Sequence, residues 1–286
     1  MDVELDRPEV NLNITRQIDG PLIRKLSVSN FRNYSKASLE PSKQMVVLLG
    51  NNGAGKTNLL EAISMLSPGR GLRRAQLTQL NRAKTGATDE DNTIESQSQW
   101  AVSVKVESNG FQTTIGTGCA TAVADGKTVK RLVKINGDIV KSQISLNDYL
   151  AVSWLTPQMD RLFVEGGSQR RRFLDRLVFA FDALHSKRVN RYNYALRERK
   201  KLLQSWTKDT SWLNAIENSL AEMGVAIAVT RQDLIRRLSP IIGKNMGLFP
   251  SAIISMEGEV ENWLEDNSAL EVEQRFREEL KKSRAN

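Results

Sequence analysis

Residues 50–57 read Gly50-Asn51-Asn52-Gly53-Ala54-Gly55-Lys56-Thr57, the spacing G-x-x-x-x-G-K-[ST] of a phosphate-binding loop. Its chemistry is that of a cradle. Glycines at 50, 53 and 55 let the backbone turn tightly and bring its N–H groups onto the phosphates of a nucleoside triphosphate. Lys56 is placed for the β- and γ-phosphates, and the Thr57 hydroxyl for a Mg²⁺ ion. A helix that starts here adds the positive end of its dipole. The expected nucleotide contacts are therefore Gly50, Asn51, Asn52, Gly53, Ala54, Gly55, Lys56, Thr57 and the adjoining Asn58.

Such a loop works only when it is held from both sides. The apolar run Met45-Val46-Val47-Leu48-Leu49 before it reads as a buried strand, and residues 58–66 after it as a helix ended by Pro68-Gly69. Arg70, Arg73 and Arg74 then form a small basic cluster near the nucleotide. Upstream, residues 22–29 read as an edge strand that feeds a turn at Asn30-Phe31-Arg32-Asn33-Tyr34.

Between residues 99 and 155 the period changes to two. Trp100, Val102, Val104 and Val106 alternate with small or polar residues, and Asn109-Gly110 and Asn136-Gly137 mark two hairpin turns. The fold class expected is α/β: a phosphate-loop lobe with a mixed sheet and an antiparallel β layer beside it. Residues 88–98 read as a polar loop.

From residue 168 the pattern becomes helical and predicts a second lobe. Phe173, Leu177, Phe181 and Leu184, continued by Tyr192, Leu196 and Leu203, predict an apolar core stripe. Further helices are expected over 212–238 and 269–282, with a short β-like run at 252–256. The divisions are an N-terminal extension (1–21), the phosphate-loop lobe (22–167) and the helical lobe (168–286).

Charge narrows the function classes. The 286 residues carry 41 Lys+Arg against 33 Asp+Glu, net +8. Residues 161–201 hold 12 of those basic residues and 4 of the acidic ones, so the rest of the chain is balanced. A local excess of this kind suits a polyanion such as DNA, with a solvated helix face as the plainer alternative. Arg170, Arg171, Arg172, Arg176, Lys187, Arg188 and Arg191 are the candidate contacts. The single cysteine, Cys119, excludes an internal disulfide, and the single histidine, His185, excludes a histidine-based zinc site. His185 reads as a helix-surface residue. No apolar run approaches the ~18 residues of a membrane span, and no secretory signal is recognisable, which points to the cytoplasm.

Three blocks together resemble the RecF family of bacterial DNA replication and repair proteins, relatives of SMC and ABC-type ATPases. They are residues 30–34 (Asn-Phe-Arg-Asn-Tyr), residues 50–63 from the phosphate loop through Asn58-Leu59-Leu60-Glu61-Ala62-Ile63, and residues 169–175 (Gln-Arg-Arg-Arg-Phe-Leu-Asp). The Gly69-Arg70 pair also fits. The resemblance runs from about residue 22 to the C-terminus. It implies an ABC/SMC-type ATPase lobe with a projecting helical lobe, ATP with Mg²⁺ as cofactors, and an ATP-dependent head-to-tail homodimer. It further implies DNA binding near single-strand gaps, work with RecO and RecR to load a recombinase, and a place in recombinational repair and the SOS response. Arg32, Asn33 and a Q-loop-like Gln158 would then lie close to the nucleotide.

The family's weak DNA-dependent ATPase activity needs more than this sequence displays. An apolar strand ending in Asp-Glu would bind Mg²⁺ and orient water. A Ser-x-Gly signature at a helix N-terminus would clamp the γ-phosphate from a partner. Asp89-Glu90, Glu265-Asp266 and Glu278-Glu279 all follow polar or mixed sequence, and no Leu-Ser-x-Gly-Glu/Gln run occurs. The C-terminal strands of the ATPase lobe are expected to be missing, as in a fragment or a short variant completed in trans. Alone, the chain is expected to bind ATP without hydrolysing it. The alternatives are another phosphate-loop ATPase or kinase, and an interaction module with a vestigial loop.

Overall fold

A computed structural model of the chain describes residues 20–82, 99–108, 110–121, 129–205, 210–244 and 250–284. The loop expected at 88–98, most of the N-terminal extension and Asn109 of the first hairpin turn lie outside them.

Six strands form one sheet. β1 (Leu22–Phe31), β2 (Tyr34–Leu39), β3 (Ala101–Ser108), β4 (Phe111–Thr121), β5 (Val129–Ile135) and β6 (Asp138–Ile139) lie in the order β2-β1-β3-β4-β5-β6, and every pairing is antiparallel. The period-two pattern fixes the register. Leu26 pairs with Val104 and Val28 with Val102, while Val104 faces Ile115 on the other side, so the apolar side chains share one face. A one-residue slip would turn all of them to water. The β5–β6 turn needs positive φ at both central residues, and Asn136 (52°) and Gly137 (98°) supply it.

The buried face packs against α1 (Lys56–Ser64) and the turn that follows it. Ala62, Met65 and Leu66 meet Val102, Val104 and Ile115, with Leu80 and Leu146 closing the sides. Phe31 and Trp100 stack edge to face at 5.7 Å in this core. Each such side chain contributes roughly 1.5–3 kcal/mol when fully buried.

Two strand expectations fail. Residues 22–31 are not an edge, because β1 is flanked by β2 and β3. Residues 45–49 form no strand and are not buried: Met45 is 86% and Leu49 88% exposed. An apolar run becomes a strand only where a neighbour completes its hydrogen-bond ladder, and none of the described strands lies beside it. The parallel component of the expected mixed sheet is therefore absent among the described residues, and the α/β class rests on the antiparallel sheet with its helices.

The remaining helices are α2 (Gly167–Val178), α3 (His185–Gln204), α4 (Thr210–Ile242), α5 (Glu259–Asp266) and α6 (Ala269–Lys282). α6 starts with a reciprocal cap between Ser268 and Glu271, the S-x-x-E arrangement that satisfies two orphan donors at once. α5 was not foreseen, and the run at 252–256 is not a strand. The stripe predicted for residues 173–203 is not a core either: Phe181, Leu184, Leu196 and Leu203 are exposed. α2 stops at Val178 and a turn intervenes before α3, so the spacing does not run through on one face. The buried positions are instead Asp175, Val178, His185 and Ala195 against the long α4.

His185, expected on a helix surface, has 0% of its surface exposed. Its Nε2 lies 2.8 Å from Asp175 Oδ1 and its Nδ1 2.8 Å from the Thr230 hydroxyl. Arg231 closes the cluster with two hydrogen bonds to Asp175, at 2.8 and 2.9 Å. A second hub, Glu217 on α4, receives Arg199 of α3 at 2.9 Å and Arg284 after α6. These two buried carboxylates tie together the helices that follow the sheet.

Candidate functional site

The phosphate loop takes the backbone its glycines require. Gly50, Gly53 and Gly55 have φ of 150°, 86° and 97°, values that side chains resist. Gly55 caps the N-terminus of α1, and neither a side-chain cap nor an acidic residue neutralises that first turn. The helix thus presents unneutralised backbone donors to an anion. Lys56 folds back over the loop, and its ammonium donates to the carbonyls of Gly50 (2.6 Å) and Asn51 (2.9 Å). A phosphate oxygen competes for those same protons and, being charged, forms the stronger bond.

The 30–34 block holds the loop from outside. Tyr34 donates its hydroxyl to the Ala54 carbonyl (3.3 Å), and Asn33 Oδ1 accepts from Asn58 Nδ2 (2.8 Å). The packing is close: a Cβ at Gly55 would meet the Tyr34 hydroxyl and come within 2.7 Å of Asn33 Nδ2. Gly55→Ala combines that collision with a disfavoured φ. We expect it to weaken triphosphate binding at least tenfold in a dialysis or calorimetric titration, whereas the roomier Gly53→Ala loses less.

Arg32 lies beside the loop, but its guanidinium is committed elsewhere. It grips Glu61 with two bonds of 2.9 and 2.7 Å and donates to the Gln79 carbonyl. Arg73 reaches the same carboxylate (3.1 Å) and Asn58 (2.9 Å). Glu61, only 1% exposed, thus neutralises two arginines and fixes the flank of α1. Gln158 stands in a short 3-10 turn, Pro157–Arg161, and lines the same cleft as Thr57.

The structure divides the candidate DNA contacts. Arg172, Arg176 and Lys187 line that cleft; Arg170, Arg171, Arg188 and Arg191 do not. Arg188 is paired with Asp182, and Arg170 donates to the Glu165 carbonyl at 2.7 Å. Arg171, Arg172 and Arg191 are exposed.

Glu61 and Arg131 are contributors that sequence reasoning missed. Arg131, on β5, is partly buried with no carboxylate partner among the described residues, and desolvation pulls its pKa down to about 10. Its protons go to backbone carbonyls beyond the end of α1: Met65, Ser67 (3.2 Å) and Gly69 (2.7 Å). A cation at this end complements the helix dipole. No local pattern signals it, because those carbonyls lie more than 60 residues away.

The donor set suits a Mg²⁺-triphosphate. Backbone amides and an ammonium match phosphate oxygens, and one hydroxyl suffices for an ion that keeps most of its waters and takes its remaining ligands from phosphate. Among the described residues no group of three or more His, Cys, Asp or Glu is placed to hold a metal alone.

Comparison with known proteins gives consistent results. The RecF/RecN/SMC N terminal domain family matches residues 22–159. The DNA replication and repair protein RecF of Mesorhizobium japonicum is 42% identical over 260 residues, 90% of this chain and 65% of that protein. RecF of Brucella suis biovar 1 is 42% identical over 280 residues, 97% of this chain and 69% of the relative. The chain thus spans about two thirds of the length of these relatives. The solved structure of the recombination mediator protein RecF-ATPrS in the RecFOR pathway superposes with a TM-score of 0.77 at 24% identity, covering 93% of this chain and 68% of that one. A RecF-ATP structure of the same pathway gives 0.67 at 23% identity and the same coverage, and both likenesses speak to the fold.

Proposed function

Since this chain belongs to the RecF family of DNA replication and repair proteins, we propose that it binds ATP with Mg²⁺ at residues 50–58 and engages DNA in recombinational repair. The observation that carries the nucleotide part is the loop itself: three left-handed or strained glycines, an uncapped helix N-terminus, and Lys56 held only by its own loop's carbonyls. Thr57 completes the Mg²⁺ shell. Asn33 positions Asn58, and Arg32 acts through Glu61 on the flank of the same helix. Gln158 faces the nucleotide across the cleft.

The rest of the reading follows from the family and the charge. The surplus over residues 161–201 supplies salt-dependent affinity for DNA with little base specificity. The neighbours' pathway name supports work with RecO- and RecR-type mediators, and recombinase loading and a role in the SOS response are part of the reading by family resemblance alone. ATP-dependent pairing of two copies, a cytoplasmic setting and the lobe division near residue 167 belong to the same reading. No helix among the described residues is long and apolar enough to cross a membrane. The chain alone binds ATP without turning it over, because its sequence offers no apolar strand ending in Asp-Glu and no signature helix.

Equilibrium dialysis with labelled ATP and Mg²⁺ tests the nucleotide reading. Uptake should be one per chain, and Lys56→Ala should weaken it by roughly ten- to a hundredfold, the worth of a charge-assisted hydrogen bond. No uptake by folded protein overturns the reading. Phosphate release well above background that Lys56→Ala abolishes overturns the non-hydrolysing part.

A further inference from the structure

A cleft of about 2100 Å³ opens between the loop after α1 on one side and α2 with α3 on the other, and Thr57 lies in its wall. Small-ligand pockets run to roughly 300–1,000 Å³, so this space exceeds what a mononucleotide fills. We propose that the cleft is a groove for one strand of nucleic acid, in which Trp154 and Arg176 form a platform for a base. The inference rests on the DNA-binding reading above and narrows it to a single strand at a defined place.

Charge is the first argument. Arg70 and Arg74 stand on one wall, and Arg172, Arg176, Lys187 and Arg197 on the other. None of the six has an ion-pair partner among the described residues. Of the carboxylates in the walls, Asp175 is consumed by Arg231 and His185, which leaves Glu165. Two opposed banks of cations with one free carboxylate between them favour a chain of anions over a single one.

The second argument is Arg176. Its guanidinium lies 4.3 Å from the centre of the Trp154 ring and 5.4 Å from that of Phe173. Nη2 donates to the Trp154 carbonyl at 3.3 Å, whereas the buried Nε has no hydrogen-bond partner among the described residues. Burial and the facing Arg74 both disfavour its charge, and an anion between the two arginines relieves both. Trp154 is partly exposed, and an indole with a guanidinium beside its face is the kind of aromatic platform on which unpaired bases stack. Only an unpaired strand turns its bases outward to such a surface; a duplex offers this cleft its phosphates alone.

Fluorescence anisotropy at low salt tests the proposal on the full chain, with a ten-residue oligothymidine, an abasic strand of equal length and a short duplex. The oligothymidine should bind about tenfold tighter than the abasic strand, and Trp154→Leu should erase that difference. Arg74→Glu with Arg172→Glu, both at exposed positions, should weaken oligothymidine binding at least tenfold. Lys36→Glu with Lys43→Glu makes the same change in net charge outside the cleft and should cost less than threefold. Equal binding of the thymidine and abasic strands, or equal losses in the two double variants, overturns the groove. Duplex binding without oligothymidine binding overturns it and leaves the DNA reading standing. Binding of neither overturns both.

Discussion

Alanine at position 175 is expected to destabilise the helices that follow the sheet by about 3–5 kcal/mol, the usual effect of removing one partner from a buried ion pair. Asp175 accepts two bonds from Arg231 and one from His185, and all three side chains are nearly sealed from water. Its removal leaves a buried guanidinium and a buried imidazole without an acceptor, and α2 loses its tie to α3 and α4. Urea unfolding followed by helical circular dichroism measures this as a lower midpoint at an unchanged slope. Asp175→Asn, which keeps the acceptor oxygen and removes the charge, should fall between wild type and alanine. A loss below about 1 kcal/mol would mean that water repairs the site, and that the cluster is less sealed than its geometry implies.

The second large effect belongs to Glu217, where alanine should cost about 3 kcal/mol. The value sits at the low end because Arg284 keeps more contact with water than Arg199 or Arg231. Acid should imitate this mutation. Burial, the largest influence on Glu217, raises its pKa, but the hydrogen bonds from Arg284 and Arg199 outweigh it and hold the net value below the ordinary 4.5. Asp175 behaves alike: burial raises its pKa, the bonds from His185 and Arg231 prevail, and the result lies below 3.8. A carboxylate with a depressed folded pKa adds stability above its unfolded pKa and loses it as pH falls through the folded one. The unfolding midpoint should therefore hold from neutrality to about pH 5 and drop below about pH 4. In Glu217→Ala that acid drop should be visibly shallower.

Much of the site was legible because it is local. The phosphate loop with its lysine and threonine is read from eight adjacent residues, whereas Asn33 entered only through the family resemblance. The hairpins were legible too, since a period of two and an Asn-Gly turn are short-range signals. Residues 45–49 show the limit: composition says that a run is apolar, whereas a strand exists only through the neighbour that pairs with it. His185 shows the same limit from the opposite side. Its Arg-rich surroundings suggested a surface, yet Asp175 on α2 and Thr230 on α4, separated from it by 10 and 45 positions, enclose it. Glu61, Arg131 and Glu217 escaped notice for the same reason. A buried charge is explained by its partner, and the partner is chosen by the fold.

Arg131 has a mechanical consequence. Because a residue of β5 grips the carbonyls past the tail of α1, that helix is anchored at the end opposite its phosphate loop. A triphosphate that draws the head of the helix toward itself cannot slide it freely along its axis; the load passes through the guanidinium into the sheet. The hairpins thereby become the ballast behind the cradle.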